Sequence, residues 1–384
     1  MAGNGQRGLR LRGPGRRRSA RAGIRWLAAA GALAVLTAAC GAVTQPGQPT
    51  RPGPASGRAN ALTETGSSLL YPLMRTWAAG YAKQAAGLTV TTASTSSGAG
   101  IAAASAGTAD IGASDAYLSS GDVVKKPALR NIPLAVSAQT VVYNLPGISA
   151  ADHVRLDGAV LAGIYDGSIT RWDDPAISAI NPHLTLPAIK IVPVHRYDSS
   201  GDTFLFTSYL STQDAGWNGK VGYGTIVSWP TPAGALQEKG SLDMLHACAA
   251  HPGCVAYNGI SYLAQARAGG LGEAELGNAA GQYSLPDAAT IQAAIGSFVS
   301  LTPASETISM IDGPAAAGYP IVNYEYAVVS VKQPDAATAS AIRAFLRWVI
   351  TGGNQASYVD AVGFQPLPAT LVTLGQQQIQ EIGA

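Results

Sequence analysis

Two periodicities alternate along residues 61–384. Leu88–Thr92, Ala109–Ala113, Thr140–Asn144 and Ile189–Val194 are short runs rich in β-branched residues and read as strands, and Tyr319–Ser330 contains a further β-rich run. Stretches of helical spacing lie between them. The clearest is Pro334–Thr351, with Pro334 at an N1-like position, Gly352 at the stop, and Ile342, Phe345, Leu346 and Val349 on one apolar face. Such alternation predicts α/β lobes with largely parallel sheets, which bind ligands where strands end and helices begin. This region is too long for a comfortable single core, so two lobes are expected. No repeat of solenoid length interrupts the pattern.

The N-terminus follows a different pattern. Residues 1–39 hold eight arginines and no acid, followed by an apolar stretch, Trp26–Ala39, whose heart Leu27–Leu36 is too short to span a bilayer comfortably. A basic start, an apolar middle and small residues before a cut site describe an export signal. The small residues lead into Cys40, and Leu36-Thr-Ala-Ala-Cys40 resembles a bacterial lipobox, with Thr37 where leucine is usual. Acylation of Cys40 would give the two chains needed for firm anchoring; plain cleavage after Ala-x-Ala would leave none. Export by the Sec or the twin-arginine route stays open. Residues 40–60 are rich in Pro, Gly, Ser and Thr and predict a flexible tether, so the product is expected outside the cytoplasm, on the outer face of the cell membrane.

The net charge of +2 then changes meaning. Without the leader the chain carries 17 basic and 23 acidic residues, a net −6, which removes the main support for nucleic-acid binding. In an oxidising compartment Cys248 and Cys254 are expected to pair across a turn. A metal reading would recruit His246 and His251, but the spacing fits no common zinc pattern; neither metal nor cofactor is expected.

Three segments share one design, a small polar turn leading into a helical pattern: Gly66–Trp77, Ser94–Ala104 and Asp198–Tyr209. Each presents backbone N–H groups and serine hydroxyls at a helix start, where the dipole favours anions. Taken singly, each is more simply an ordinary helix cap. Arg196 precedes the third segment and can present a fixed guanidinium oriented by Asp198. Asp115 follows a strand, and its bland reading is a cap. A carboxylate accepts a hydrogen bond from a protonated oxyanion such as phosphate and repels one without a proton, such as sulfate.

In this order, the segments resemble the phosphate-binding proteins of phosphate ABC importers, the PstS family, in particular the lipid-anchored branch of high-GC Gram-positive bacteria. Gly112–Leu118, Arg171-Trp-Asp-Asp174, Phe204–Leu210, Pro252–Tyr257 and Ile308–Gly313 carry the resemblance further, over nearly all of residues 62–370. The resemblance implies a two-lobed periplasmic-binding-protein type II fold with two crossover strands and the ligand in the interlobe cleft. Lobe I would comprise residues 61–143 and 323–384, lobe II residues 144–322, with crossovers near Tyr143–Leu145 and Val322–Tyr324. It implies phosphate ligands at Ser68 and the Leu69 N–H, at Ser97 (or Ser96), Asp115, Arg196, Ser200 and Gly201. The family's threonine after Ser-Gly is here Asp202, which would add a second carboxylate.

The expectation is a monomeric, non-enzymatic protein that captures inorganic phosphate and delivers it to the importer's membrane subunits. The rivals are a phosphatase-type enzyme and a sulfate or molybdate binder. The first needs a base or metal near a serine, and only His195 stands near a candidate loop; the second is disfavoured by Asp115 and Asp202.

Overall fold

The computed structural model describes residues 61–85, 87–149 and 151–384; the leader, Cys40 and the 40–60 tether lie outside the described residues. The strands are β1 (Ala61–Gly66), β2 (Thr89–Ser94), β3 (Ile111–Ser114), β4 (Leu129–Tyr143), β5 (Arg155–Leu156), β6 (Val192–Arg196), β7 (Leu236–Glu238), β8 (Cys254–Gly259), β9 (Gly272–Glu273), β10 (Glu275–Gly277), β11 (Tyr283–Ser284) and β12 (Val322–Ser330). One sheet runs β2-β1-β3-β12-β4-β8-β6-β7, with β9 also on β4, and a small sheet runs β11-β10-β5.

The large sheet is mixed, which corrects the expectation of largely parallel pairing. Its two ends are parallel, β2-β1-β3 and β8-β6-β7. Between them β12 and β4 run antiparallel to their neighbours. The reason lies in β4, a 15-residue strand that passes from one parallel block to the other. It pairs with β12 through Ala138 and with β8 from Gln139 onward.

Only the end of β4 was legible as Thr140–Asn144. The strand is almost wholly buried on both faces, so polar and apolar positions do not alternate. Pro133 further disguises it; it sits where the register with β12 shifts, between Glu325 and Tyr326, where a missing N–H is tolerated. The run Ile189–Val194 becomes a strand only from Val192. The helix expected at Pro334–Thr351 spans Ala336–Val349: Asp335 caps it by accepting the Thr338 N–H at 2.8 Å, which leaves Pro334 outside. Its apolar face, Ile342, Phe345, Leu346 and Val349, is buried as expected.

Two indoles anchor loops to this core. Trp77 Nε1 donates to the Gly353 carbonyl at 2.7 Å and Trp172 Nε1 to that of Gly253 at 2.8 Å. Cys248, in the helix Gly240–Ala250, is disulfide-bonded to Cys254 at the start of β8, their Cα atoms 5.2 Å apart. Among the described residues no helix is long and apolar enough to cross a membrane.

Candidate functional site

The three polar turns converge at strand ends. After β1, Ser67 Oγ accepts the Leu70 N–H at 2.9 Å ahead of the helix Tyr71–Gln84. After β2, Ser96 caps the helix Ser97–Ala106 by accepting from Ala99 N–H. After β6, Ser200 caps the helix Gly201–Gln213 by accepting from Thr203 N–H at 3.3 Å. The capping reading of these turns therefore holds for particular serines and leaves their neighbours free for other work. The first N–H groups of the latter two helices, those of Ser97, Gly201 and Asp202, have no intrahelical acceptor to reach.

Asp115 follows β3 and is 1% exposed. It caps no helix, since Ser119 caps the next one. Ser67 Oγ donates to its Oδ1 in a short contact, and Ser97 Oγ to its Oδ2 at 3.2 Å. Of the two serines left open by the sequence, Ser97 faces Asp115 and Ser96 caps the helix. Burial pushes the Asp115 carboxyl up; the neighbouring Glu325 carboxyl, the Ser67 and Ser97 hydroxyls and the Arg196 charge pull it only partly back.

Arg196, at the end of β6, is 2% exposed. Its Nε and Nη2 grip Asp198 in a fork at 2.6 and 2.5 Å, while Nη1 donates to Ser68 Oγ and to Asp202 Oδ2, both at 3.1 Å. Burial opposes its charge, but Asp198 and Asp202 outweigh burial, and its pKa is raised. Held by Asp198 on one edge and by Asp202 and Ser68 at Nη1, the guanidinium is a fixed cation at the cluster. Asp202 is likewise buried and is pushed up to about 6 by burial and by the Asp115 charge, against the pull of Arg196.

Gly201 lies where the turns meet. A Cβ there would stand 2.3 Å from Asp115 Oδ2 and 2.4 Å from Ser97 Oγ, so only glycine fits this approach. The second and third turns also touch directly: the Gly98 N–H donates to the Ser199 carbonyl at 2.9 Å.

Of the residues named from sequence, Ser68, Ser97, Asp115, Arg196, Gly201 and Asp202 form one buried cluster. Leu69 and Ser200 flank it; Leu69 is buried and its carbonyl accepts from Ser261 Oγ at 2.7 Å. His195 turns away, its ring stacked on Trp229 at 4.7 Å.

Several members escaped the sequence reading. Ser241 bonds Ser68 Oγ at 2.8 Å and donates to Asp202 Oδ2 at 3.1 Å. Gln139 Nε2 donates to Asp202 at its carbonyl and its Oδ1. Asn323 donates to the Asp115 carbonyl at 2.5 Å, and Glu325 is buried on the same strand, its Oε1 accepting from Ser137 Oγ at 2.6 Å. Tyr257 accepts the Arg196 N–H at 2.9 Å and bonds Thr203 Oγ1 at 2.8 Å, tying β6 to the helix start. These residues lie on four separate elements with no local motif, so no sequence signal joined them to the turns.

The sequence profile of the PBP superfamily domain matches residues 49–352. The phosphate-binding protein PstS of Xylella fastidiosa is 33% identical over 331 residues, covering 86% of this chain and 88% of that one. The PstS of Methanocaldococcus jannaschii is 34% identical over 309 residues, covering 74% and 77%. A crystal structure of a phosphate-binding protein from Stenotrophomonas maltophilia superposes with a TM-score of 0.63 at 20% identity, covering 83% of this chain and 93% of that one.

Proposed function

Because the chain belongs to the PstS family of phosphate-binding proteins, we propose that it captures inorganic phosphate outside the cytoplasm and hands it to an ABC importer. The observation that carries the reading is the buried cluster in which Arg196, charge-fixed by Asp198 and Asp202, and the Ser97-bonded carboxylate of Asp115 meet at two helix starts. The cation and the N–H groups suit an oxyanion; the carboxylates suit one that still bears protons. Phosphate combines both properties, and sulfate lacks the second.

Ser68, the Leu69 N–H, Ser97, Asp115, Arg196, Ser200, Gly201 and Asp202 would then be the ligands. Ser200 Oγ accepts a backbone N–H, which leaves its own hydrogen to donate. The protein binds and releases its ligand unchanged, so specificity lies in hydrogen-bond matching. Lobe I would comprise residues 61–143 and 323–384 and lobe II residues 144–322. The change of partner along β4 after Ala138 supports a division close to this boundary. Closure of the lobes over phosphate would form the surface that the importer's membrane subunits read. The protein would act as a monomer held to the membrane by lipid on Cys40.

Titration calorimetry of the secreted protein with phosphate and with sulfate tests the reading. Binding of phosphate with rejection of sulfate is expected. Failure to bind phosphate, or equal affinity for sulfate, would overturn it.

A further inference from the structure

Behind Asp115 stands a third carboxyl group that the anion reading does not use. Glu325 lies on β12, whose Tyr326 pairs with Ser114 at the end of β3, so the residue opposite Glu325 across the antiparallel pair is Asp115. On the other side of β12, the register with β4 shifts between Glu325 and Tyr326. Glu325 is fully buried. Its Oε1 accepts from Ser137 Oγ at 2.6 Å. Its Oε2 has no hydrogen-bond partner among the described residues, and the Asp115 carboxyl is the nearest negative charge acting on it.

Two carboxyl groups buried on neighbouring strands are favoured with one proton between them, since two ionised carboxylates repel and can only accept. The surroundings decide which one holds it. Asp115 receives hydroxyl donors from Ser67 and Ser97 and feels the Arg196 charge, all of which favour its anion. Glu325 receives only Ser137, while Asp115 and Asp202 face it as negative neighbours.

We propose that Glu325 is a positioning residue for phosphate recognition: it keeps a proton, donates it to the Asp115 carboxylate, and so holds Asp115 as an ionised, aimed acceptor for a phosphate hydroxyl. This rests on the phosphate reading above. A carboxylate offers about four acceptor sites. Ser67, Ser97 and Glu325 occupy three, which leaves one for a single P–OH group.

Burial is the first cause that pushes the Glu325 carboxyl well above the carboxylate range, followed by the charge of Asp115. The titratable and charged groups around it are Asp115 beyond the end of β3, Asp202 at the helix start, Arg196 beyond Asp115 at the end of β6, and Tyr326 on its own strand. The Glu325 proton therefore leaves only above the ordinary carboxylate range. Asp115 then loses a donor and gains a buried like charge beside the anion, and phosphate binding weakens.

The test is calorimetric titration with inorganic phosphate from neutral pH into the alkaline range where phosphate stays dibasic, on the parent, Glu325→Gln, Glu325→Ala and Ser137→Ala. The amide of Glu325→Gln donates at every pH, so its alkaline fall should vanish, with a loss of no more than about threefold at neutral pH. Glu325→Ala should lose about tenfold or more at neutral pH. Ser137→Ala removes the hydroxyl that favours ionised Glu325, so its fall should move to higher pH. An alkaline fall identical in parent, Glu325→Gln and Ser137→Ala would overturn the role of Glu325 while leaving phosphate capture standing. A parent that binds no phosphate would instead overturn the phosphate reading itself, and this role with it.

Discussion

In the proposed site Asp115 would let one side chain reject an anion of the right size and shape. Its carboxylate is desolvated, so its charge must be met by donors. Serines and Glu325 meet part of that need, and a P–OH group would meet the rest. Asp115→Asn replaces an acceptor-only group with one that can also donate. Phosphate affinity should fall by about tenfold or more and sulfate binding should rise, as read by calorimetry on both anions. Unaltered selectivity would remove Asp115 from the recognition.

Asp202 makes a second residue-scale case with a pH signature. In the folded chain its carboxyl is pushed up to about 6 from an ordinary value of 3.8. An acid raised in this way is favoured when protonated, so its contribution to stability is complete below the unfolded value and is lost as pH rises through about 6. Asp202→Asn escapes that loss. Its ligand-free melting temperature should exceed that of the parent at pH 8, and the gain should shrink at pH 5. The phosphate affinity of the variant should also lose part of its pH dependence; superimposable affinity–pH curves would mean that Asp202 does not touch the ligand.

At the scale of elements, the site is an assembly of helix starts pressed together by glycine. Gly201 opens the helix Gly201–Gln213 with its Cα against Asp115 and Ser97, elements separated from it by some eighty residues or more of chain. In Gly201→Ala the new methyl would meet backbone-anchored groups on both sides. Phosphate binding should fall by about a hundredfold or more while far-ultraviolet circular dichroism stays that of the parent. The disulfide is the other local device. Cys248–Cys254 closes a loop of sequence separation 6, worth about 2 kcal/mol by chain entropy, and Cys248→Ser should lower the melting temperature by a few degrees without changing anion selectivity.

At the scale of the whole molecule, one long strand links the two halves of the large sheet. Because β4 passes from β12 to β8 between Ala138 and Gln139, the proposed closure of the lobes would be concentrated at a few residues. Gln139, the first residue past that change, also donates to Asp202, so the crossover and the anion cluster are in direct contact. The proposed anchoring acts at the same scale and would depend on a single residue. Cys40→Ala should move the protein from the membrane fraction to the medium or periplasm and abolish incorporation of labelled palmitate, leaving phosphate affinity intact. Retention in the membrane would show that Cys40 is not the anchor.

The sequence alone determined whatever short-range pattern encodes: the alternation of strands and helices, the three polar turns, and the Arg196–Asp198 fork two residues apart. It pointed to Asp115 from its place after a strand, and to Ser68, Ser97 and Asp202 through the family resemblance of the segments that hold them. The length and direction of β4 were hidden, since a strand buried on both faces has no alternation to read and Pro133 argues against it. Only the tertiary structure brought in Ser241, Gln139, Asn323 and Glu325. Their effect depends on which strands lie side by side, and pairing across about two hundred residues, as between Ser114 and Tyr326, is set by the packing of the whole chain.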